Sequence, residues 1–240
     1  MIRTGLILAA GEGSRLRDMT PFKPLCVVAG HALIDRAIES MAAAGLTRAV
    51  VSLGYGADVL AAHLAARDWP ITVETVMTDY RQPNGVSALA ARTSVGGSGD
   101  DAGGGAVMVM CDHLCEPRHY RRLAETGFGD GLTLGIDRRL CHAWVDPADV
   151  TCVATEGDRI VAIGKGLEPH DCYDTGVFAV GPRFFAALAT LASPSLTEGV
   201  RLLAADHAAR VVDCSDCDWI DVDDAPALRH AEAWQRAPVA

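Results

Sequence analysis

The repeated alternation of apolar runs and amphipathic segments constrains the fold of this chain most. Apolar runs with the length of buried strands alternate with segments of helical periodicity over residues 5–10, 32–44, 49–53, 57–67, 71–77, 84–92 and 106–111. Strands that alternate with helices in this way favour a largely parallel sheet covered on both faces. We therefore predict an α/β fold, a mostly parallel, Rossmann-like mixed sheet sandwiched by helices.

The second half of the chain has a different pattern. Residues 132–136, 150–154 and 159–164 predict antiparallel strands joined by polar turns, and hence a small antiparallel insertion. Strands at 177–180, 210–213 and 219–222 and helices at 182–191, 196–205 and 225–235 are predicted to follow. Residues 96–105, rich in Gly, Ser and Asp, predict a surface loop within one domain, because a buried strand resumes immediately afterwards.

Composition narrows the class of protein. Half of the 240 residues are hydrophobic, which excludes disorder, and the net charge of −10 argues against general nucleic-acid binding. No apolar run approaches the roughly 18 to 20 residues of a membrane span. The opening residues Met1–Gly5 lack the pattern of a signal peptide, so we expect a cytoplasmic protein. Cys214 and Cys217 have half-zinc-site spacing without a second pair, so packed, reduced thiols are expected.

A glycine-rich loop after the first strand carries the strongest chemical signal. The sequence runs Leu-Ala-Ala-Gly-Glu-Gly-Ser-Arg-Leu from Leu8 to Leu16, and Lys23-Pro24 follows. Glycines allow backbone N–H groups to approach a phosphate closely, and basic side chains add charge there. The chain has only one other lysine, Lys165. Leu16 stands where a dinucleotide fingerprint has its third glycine, and no Gly-Lys-Ser/Thr of a Walker A loop exists.

Aspartates follow two buried strands of the predicted sheet. Asp112 ends the 106–111 strand, and Asp221 lies at the end of 219–222. Strand ends gather at one edge of such a sheet, so two carboxylates there would suit Mg²⁺. The alternative is that they are turn-forming aspartates. His113 either contacts a substrate or is a packed histidine.

Together these motifs resemble the nucleotidyltransferase superfamily that activates sugar and alcohol phosphates, which implies that the mixed sheet is of the nucleotide-diphospho-sugar transferase type. The matching segments are Gly11-Glu12-Gly13-Ser14-Arg15-Leu16, Lys23-Pro24, Asn84-Gly85-Val86-Ser87, Cys111-Asp112-His113, Ile163-Gly164-Lys165, Asp174-Thr175-Gly176 and Asp221-Val222-Asp223. The combination is most similar to the CTP-dependent branch of inositol-1-phosphate cytidylyltransferases and the phosphonate cytidylyltransferases of antibiotic biosynthesis, including the fosfomycin pathway. Cys111 and Asp224 depart from that pattern.

The resemblance implies a role for each matched residue. It implies nucleotide-binding roles for Leu8, Ala10, Gly11, Glu12, Gly13, Ser14, Asn84 and Ser87. It implies catalytic roles for Arg15, Lys23 and Lys165. It implies acceptor binding by Lys165, Asp174 and Arg138, although Arg138 also fits a solvated charged face. It implies Mg²⁺ ligation by Asp112 and Asp221.

The implied reaction is transfer of CMP from CTP to a small anionic phosphate or phosphonate, with release of diphosphate. The Arg-rich composition is unlike that of hyperthermophiles, so 2-hydroxyethylphosphonate ranks first as acceptor and inositol-1-phosphate second. A sugar-1-phosphate nucleotidylyltransferase using another nucleotide and a non-catalytic nucleotide-binding regulatory domain remain alternatives. We expect one domain over 1–235, nucleotide-binding to about 115 and acceptor-binding from about 116. Residues 236–240 would form a tail or a linker. The sequence leaves open a fused C-terminal domain or a homo-oligomer.

Overall fold

The centre of the protein is a nine-stranded mixed sheet. A computed structural model describes residues 1–96 and 104–236, so most of the predicted loop at 96–105 and all but the first residue of the predicted tail lie outside the described residues. In chain order the strands are β1 (Thr4–Ala9), β2 (Val27–Val28), β3 (His31–Ala32), β4 (Arg48–Leu53), β5 (Thr72–Met77), β6 (Ala106–Met110), β7 (His113–Cys115), β8 (Leu132–Asp137), β9 (Thr151–Glu156), β10 (Arg159–Lys165), β11 (Cys172–Val180), β12 (Ala209–Asp213) and β13 (Trp219–Asp221).

The strand order shows how the two halves join. The sheet runs β5-β4-β1-β6-β11-β8-β12-β10-β9. The four strands from the first half pair in parallel, and β11 then joins them by pairing antiparallel with β6. The predicted α/β mixed sheet is therefore confirmed, and the predicted antiparallel strands at 150–154 and 159–164 form a hairpin at its far edge.

Helices cover both faces of this sheet. They are α1 (Leu33–Ala43), α2 (Ala57–Ala65), α3 (Asn84–Ala90), α4 (Arg92–Gly96), α5 (Pro117–Thr126), α6 (Pro182–Leu188), α7 (Leu196–Ala205) and α8 (Ala225–Arg236). One hydrophobic core lies under α1, α2 and α5, and the other lies under α3, α6 and α7. None of the helices in the described parts of the chain has the length and hydrophobicity that a membrane crossing requires.

A third, smaller core supports the side of the sheet where the motifs meet. Leu16 of the glycine-rich loop packs there with Val28, Ile220 and Val222, beneath Leu228 of α8. Strands β7 and β13 form an antiparallel pair in the same region. This small core therefore ties the glycine-rich loop, the second strand-end aspartate and the last helix into one unit.

Some elements have no clear sequence signal. Helix α5 carries the strongly polar sequence PRHYRRLAET, yet its His119, Tyr120 and Leu123 are fully buried. Strand β11 begins at Cys172, well before the predicted start at 177. Its register against β8 shifts between Asp174 and Phe178, within the part of the strand that the prediction missed. Such an irregularity interrupts the alternation on which strand prediction depends.

Candidate active site

The glycine-rich loop turns tightly against the lysine that follows it. Gly13 has φ 60°, and a Cβ there would lie 2.3 Å from Cβ of Lys23. Residues Ser14–Leu16 then form a single 3₁₀ turn that buries Leu16. Gly13 is therefore required both for its left-handed backbone and for the close passage of Lys23.

A small cavity of about 190 Å³ opens beside this loop. It is lined by Leu8, Ala10, Gly11, Gly13, Lys23, Pro24, Tyr80, Gln82, Asn84, Ser87, Met110, Cys111 and Asp112. Six of the eight residues predicted to bind the nucleotide thus meet here. The Oδ1 atom of Asn84 accepts a hydrogen bond of 2.9 Å from the backbone of Leu196, so this side chain also anchors the start of α7.

The two strand-end aspartates come together at the mouth of this cavity. Asp112 lies immediately after β6, and Asp221 ends β13. Lys23 donates a short hydrogen bond to Oδ2 of Asp112, and Nδ1 of His113 lies 3.0 Å from Oδ1 of the same carboxylate. His113 Nδ1 is also 4.0 Å from Oδ1 of Asp221. Four residues from three distant parts of the chain thus form one charged cluster.

Opposing effects set the protonation of this cluster. Burial alone would raise the pKa of Asp112, but the charges of Lys23 and His113 outweigh it and hold that pKa well below its usual range. Burial opposes the charge of His113, and Asp221 and Asp112 overcome it and raise the His113 pKa to about 9. Burial and the neighbouring Asp112 raise the pKa of Asp221 to about 6. Asp112 is therefore the firmly ionised carboxylate of the pair.

A larger cavity of about 510 Å³ adjoins the small one. Asp112 and Met110 line both cavities, so the two meet at the end of β6. The larger cavity is also lined by Arg15, His113, Ala143, Trp144, Val145, Asp146, Asp149, Val150, Thr151, Lys165, Asp174, Gly176, Trp219, Asp221, Asp223, Asp224, Pro226, Ala227 and His230. Its wall comes from β13, α8 and the segment between β8 and β9.

The arginine and the lysine of the larger cavity, Arg15 and Lys165, contact one carboxylate. Asp149 Oδ2 lies 2.9 Å from Nη1 of Arg15, and its other oxygen accepts a short hydrogen bond from Lys165. Arg15 also forms an ion pair with Asp223. Hydrogen bonds from Lys165 and Arg15 hold the pKa of Asp149 well below its usual range. Asp174 also lines this cavity, and its burial raises its pKa to about 6.

Three predicted residues lie outside these cavities as the described residues define them. Arg138 pairs with Asp171 and lies 3.7 Å from Asp213, so the structure does not bring it to Lys165 and Asp174, and its acceptor-binding role stays a prediction. Glu12 is exposed and pairs with Arg17, and Ser14 is an exposed residue of the 3₁₀ turn. Nothing in the sequence distinguishes Glu12 and Ser14, which are exposed, from Gly11 and Gly13, which line the cavity.

The sequence analysis gave no role to some other lining residues. Asp223 belongs to the matched Asp221-Val222-Asp223 segment, and a spacing of two residues, which places both carboxylates on one side of an extended chain, could have indicated it. Tyr80 and Gln82 precede the Asn84 motif closely. Asp149 and Trp144 lie in a long irregular segment, where no periodicity or motif marks them.

The aspartate cluster fits a divalent cation. Ligand atoms of Asp112, His113 and Asp221 lie within 4.8 Å of one another, and so do those of Asp149, Asp221 and Asp223. Among the described residues, the buried Oδ1 of Asp221 has no hydrogen-bond partner. A buried carboxylate oxygen is costly without a partner, and oxygen ligands suit Mg²⁺.

Comparison with known proteins decides the family. The model of the MobA-like NTP transferase domain matches residues 5–213. The chain belongs to this family. It is therefore a nucleotidyltransferase, as the motifs predicted.

The relatives are similar over most of this chain. The bifunctional IPC transferase and DIPP synthase of Rubrobacter xylanophilus is 34% identical over 94% of this chain and 50% of its own length. The 2-aminoethylphosphonate cytidylyltransferase of Lancefieldella rimae is 32% identical over 67% of this chain and 60% of its own. The chain thus spans about half the length of the first of these relatives.

Solved structures share the fold. The inositol-1-phosphate CTP transferase from T. maritima superposes with a TM-score of 0.84 at 21% identity, covering 100% of this chain and 98% of that one. A glucose-1-phosphate thymidylyltransferase structure from Bacillus anthracis gives a TM-score of 0.81 at 17% identity, covering 99% and 96%. This is the nucleotide-diphospho-sugar transferase fold that the sequence predicted.

Proposed function

We propose that this nucleotidyltransferase transfers CMP from CTP to a small acceptor phosphate and releases diphosphate. One observation carries the proposal: the small, glycine-walled cavity and the larger, charged cavity meet at Asp112. A nucleotide in the first cavity would place its reacting phosphate beside an acceptor in the second. CTP as the nucleotide is supported by the similarity to the T. maritima inositol-1-phosphate CTP transferase and the L. rimae 2-aminoethylphosphonate cytidylyltransferase.

The reaction needs positioning and charge stabilisation more than a protein nucleophile. An ionised oxygen of the acceptor phosphate attacks the α-phosphorus of CTP and forms the new P–O bond. The bond from the α-phosphorus to the bridging oxygen breaks, and diphosphate leaves with that electron pair. Phosphate oxygens are already ionised near neutral pH, so no general base is required.

Different residues would bind the two substrates, one set in each cavity. The Gly11–Gly13 backbone and Lys23 would bind the triphosphate, since they line the nucleotide side. Arg15 and Lys165 would bind the acceptor phosphate, since they line the acceptor side. Asp112 and Asp221 would hold Mg²⁺, which would supply Lewis-acid neutralisation of the phosphate charge.

The acceptor cavity favours a polyol phosphate. At about 510 Å³ it is far larger than a two-carbon phosphonate requires. Asp146, Asp174 and Asp224 offer carboxylate oxygens, which accept hydrogen bonds from hydroxyl groups. We therefore place inositol-1-phosphate first and 2-hydroxyethylphosphonate second, the reverse of the order that composition favoured.

Diphosphate release tests the proposal directly. CTP, UTP, ATP and GTP are each paired, with Mg²⁺, with inositol-1-phosphate, 2-hydroxyethylphosphonate, 2-aminoethylphosphonate and glucose-1-phosphate. We expect turnover with CTP and inositol-1-phosphate, and a loss of about 10² to 10³ in kcat for Lys23→Ala. Turnover confined to another nucleotide with glucose-1-phosphate would overturn the CTP assignment. Tight CTP binding with no turnover for any acceptor would favour a regulatory domain.

A further inference from the structure

His113 lies between the two carboxylates assigned to the metal. It follows Asp112 directly in the chain, and it stands opposite Asp221 in the β7–β13 ladder. Its Nδ1 atom is 3.0 Å from Oδ1 of Asp112 and 4.0 Å from Oδ1 of Asp221. One imidazole nitrogen is therefore within hydrogen-bond distance of Asp112 and lies close to Asp221 without a hydrogen bond to it.

The fold makes specific room for this ring. Gly176 has φ 78°, and a Cβ on it would lie 2.1 Å from Cδ2 of His113. Gly176 itself lies within the irregular part of β11, where its N–H donates to Asp174 at 2.7 Å. Only 9% of His113 is exposed. A glycine backbone thus confines the imidazole in place.

The two oxygens of Asp112 have different kinds of partner. Oδ2 accepts from Lys23, a flexible side chain that also lines the nucleotide cavity. Oδ1 accepts from His113, which is fixed by the backbone around it. An ionised carboxylate accepts hydrogen bonds and has no proton to donate. Nδ1 of His113 therefore carries the proton in this contact. If Lys23 turns toward a triphosphate, Oδ2 becomes available while Oδ1 stays held.

We propose that His113 is a positioning residue: its Nδ1–H fixes the Asp112 carboxylate so that the other oxygen faces the metal and the nucleotide. This rests on the metal assignment in the proposed function and is independent of which acceptor is used. Hydrogen bonds of this kind orient metal-binding carboxylates, and their loss costs about 10-fold to 100-fold in metal affinity.

Two amide variants separate positioning from packing. His113→Asn can place its amide N–H close to where Nδ1 lies, whereas His113→Gln places its amide farther out, near the position of Nε2. Both are polar and uncharged, so a purely structural histidine would tolerate them alike. Mn²⁺ binding is measured by electron paramagnetic resonance with CTP present and acceptor absent. CTP binding without metal is measured by calorimetry, and thermal unfolding checks that each variant is folded.

We expect His113→Gln to raise the Kd for Mn²⁺ about 10-fold or more, and His113→Asn to stay within about threefold of the wild type. Metal-free CTP binding should stay within about twofold for both. Equal Mn²⁺ affinity in the two folded variants would overturn the positioning role and leave the proposed function standing. Absence of Mn²⁺ binding by the wild-type protein with CTP would instead remove the metal assignment on which the inference rests.

Discussion

At the scale of single residues, the site is a set of cations held by carboxylates. Lys23 is bound to Asp112, and Arg15 and Lys165 share Asp149. A phosphate group presents anionic oxygens that accept hydrogen bonds from Lys and Arg, as these carboxylates do, so it can replace them at the same cations. Asp149 therefore competes with any phosphate that enters the larger cavity.

Replacing Asp149 by asparagine tests this competition. The change keeps the shape of the side chain but removes the charge that pairs with Arg15 and Lys165. Exposed ion pairs contribute about 0.2–1 kcal/mol each and two are lost here, so the KM for the acceptor should fall by about twofold to thirtyfold. Steady-state kinetics at saturating CTP measure it. Asp158→Asn is the control, because Asp158 also pairs with an arginine, Arg210 at 2.8 Å, but lines neither cavity. A higher KM for Asp149→Asn would show that Asp149 positions the cations instead.

At the scale of elements, the last helix connects parts of the site that are distant in sequence. Glu232 of α8 accepts a hydrogen bond of 2.9 Å from the backbone N–H of Ala29, in the β2–β3 turn. Trp234 stacks against Trp144 with ring centroids 5.6 Å apart. Trp144 belongs to the segment between β8 and β9 that lines the larger cavity. Helix α8 thus supports the wall of the larger cavity from outside.

Removing the Trp234 ring should therefore affect the acceptor more than the nucleotide. We expect Trp234→Ala to raise the KM for the acceptor several-fold while the KM for CTP changes by less than about twofold, because the Trp144 segment loses its packing partner. Initial rates with each substrate varied in turn measure the difference. Trp69→Ala serves as the control, since Trp69 packs near α2, in the first core. Parallel rises in both KM values would indicate a general loss of structure.

Helix α5 adds a pH dependence of stability. Burial lowers the pKa of His119 to about 3, below the value of about 6.5 in an unfolded chain. Between these two values the unfolded state binds the proton and the folded state does not. Stability is therefore full above about pH 6.5 and falls as the pH drops toward 3, by at most ~1.4 kcal/mol per pH unit from this group.

Urea unfolding between pH 4 and 7 checks this slope. His119→Gln keeps a donor for Thr175, whose hydroxyl lies 3.0 Å from Nε2, but cannot titrate. Its acid slope should be shallower than that of the wild type. His31→Gln, at an exposed histidine on β3, should keep the wild-type slope. An unchanged slope in His119→Gln would mean that other groups cause the acid sensitivity.

At the scale of the whole molecule, the sequence determined the first half better than the second. The strands at 5–10, 49–53 and 106–111 pair in parallel with local helical connections, so periodicity alone identified them. Strand β11 pairs with β6 and β8 from different parts of the chain, and no local pattern encodes that choice. Lys23 and Asp112 lie at motif positions, whereas Asp149 is brought to the site only by tertiary packing. For Arg138 the sequence was ambiguous, because a basic residue beside a strand end is compatible both with acceptor binding and with a surface ion pair. The structure places it in an ion pair with Asp171.

This organisation predicts how ligands stabilise the protein. The smaller cavity joins β1 and β6 to the segment before α3, and the third core ties the glycine-rich loop to β13 and α8. A ligand that binds only the folded state at 100 times its Kd adds about 2.7 kcal/mol, which for a chain of this size raises Tm by roughly 5–11 °C. Calorimetry with CTP and Mg²⁺ should show this shift as a single transition, because both halves share one sheet. Two separated transitions, with only one moved by CTP, would mean that the halves unfold independently and that the cavities are not coupled through the sheet.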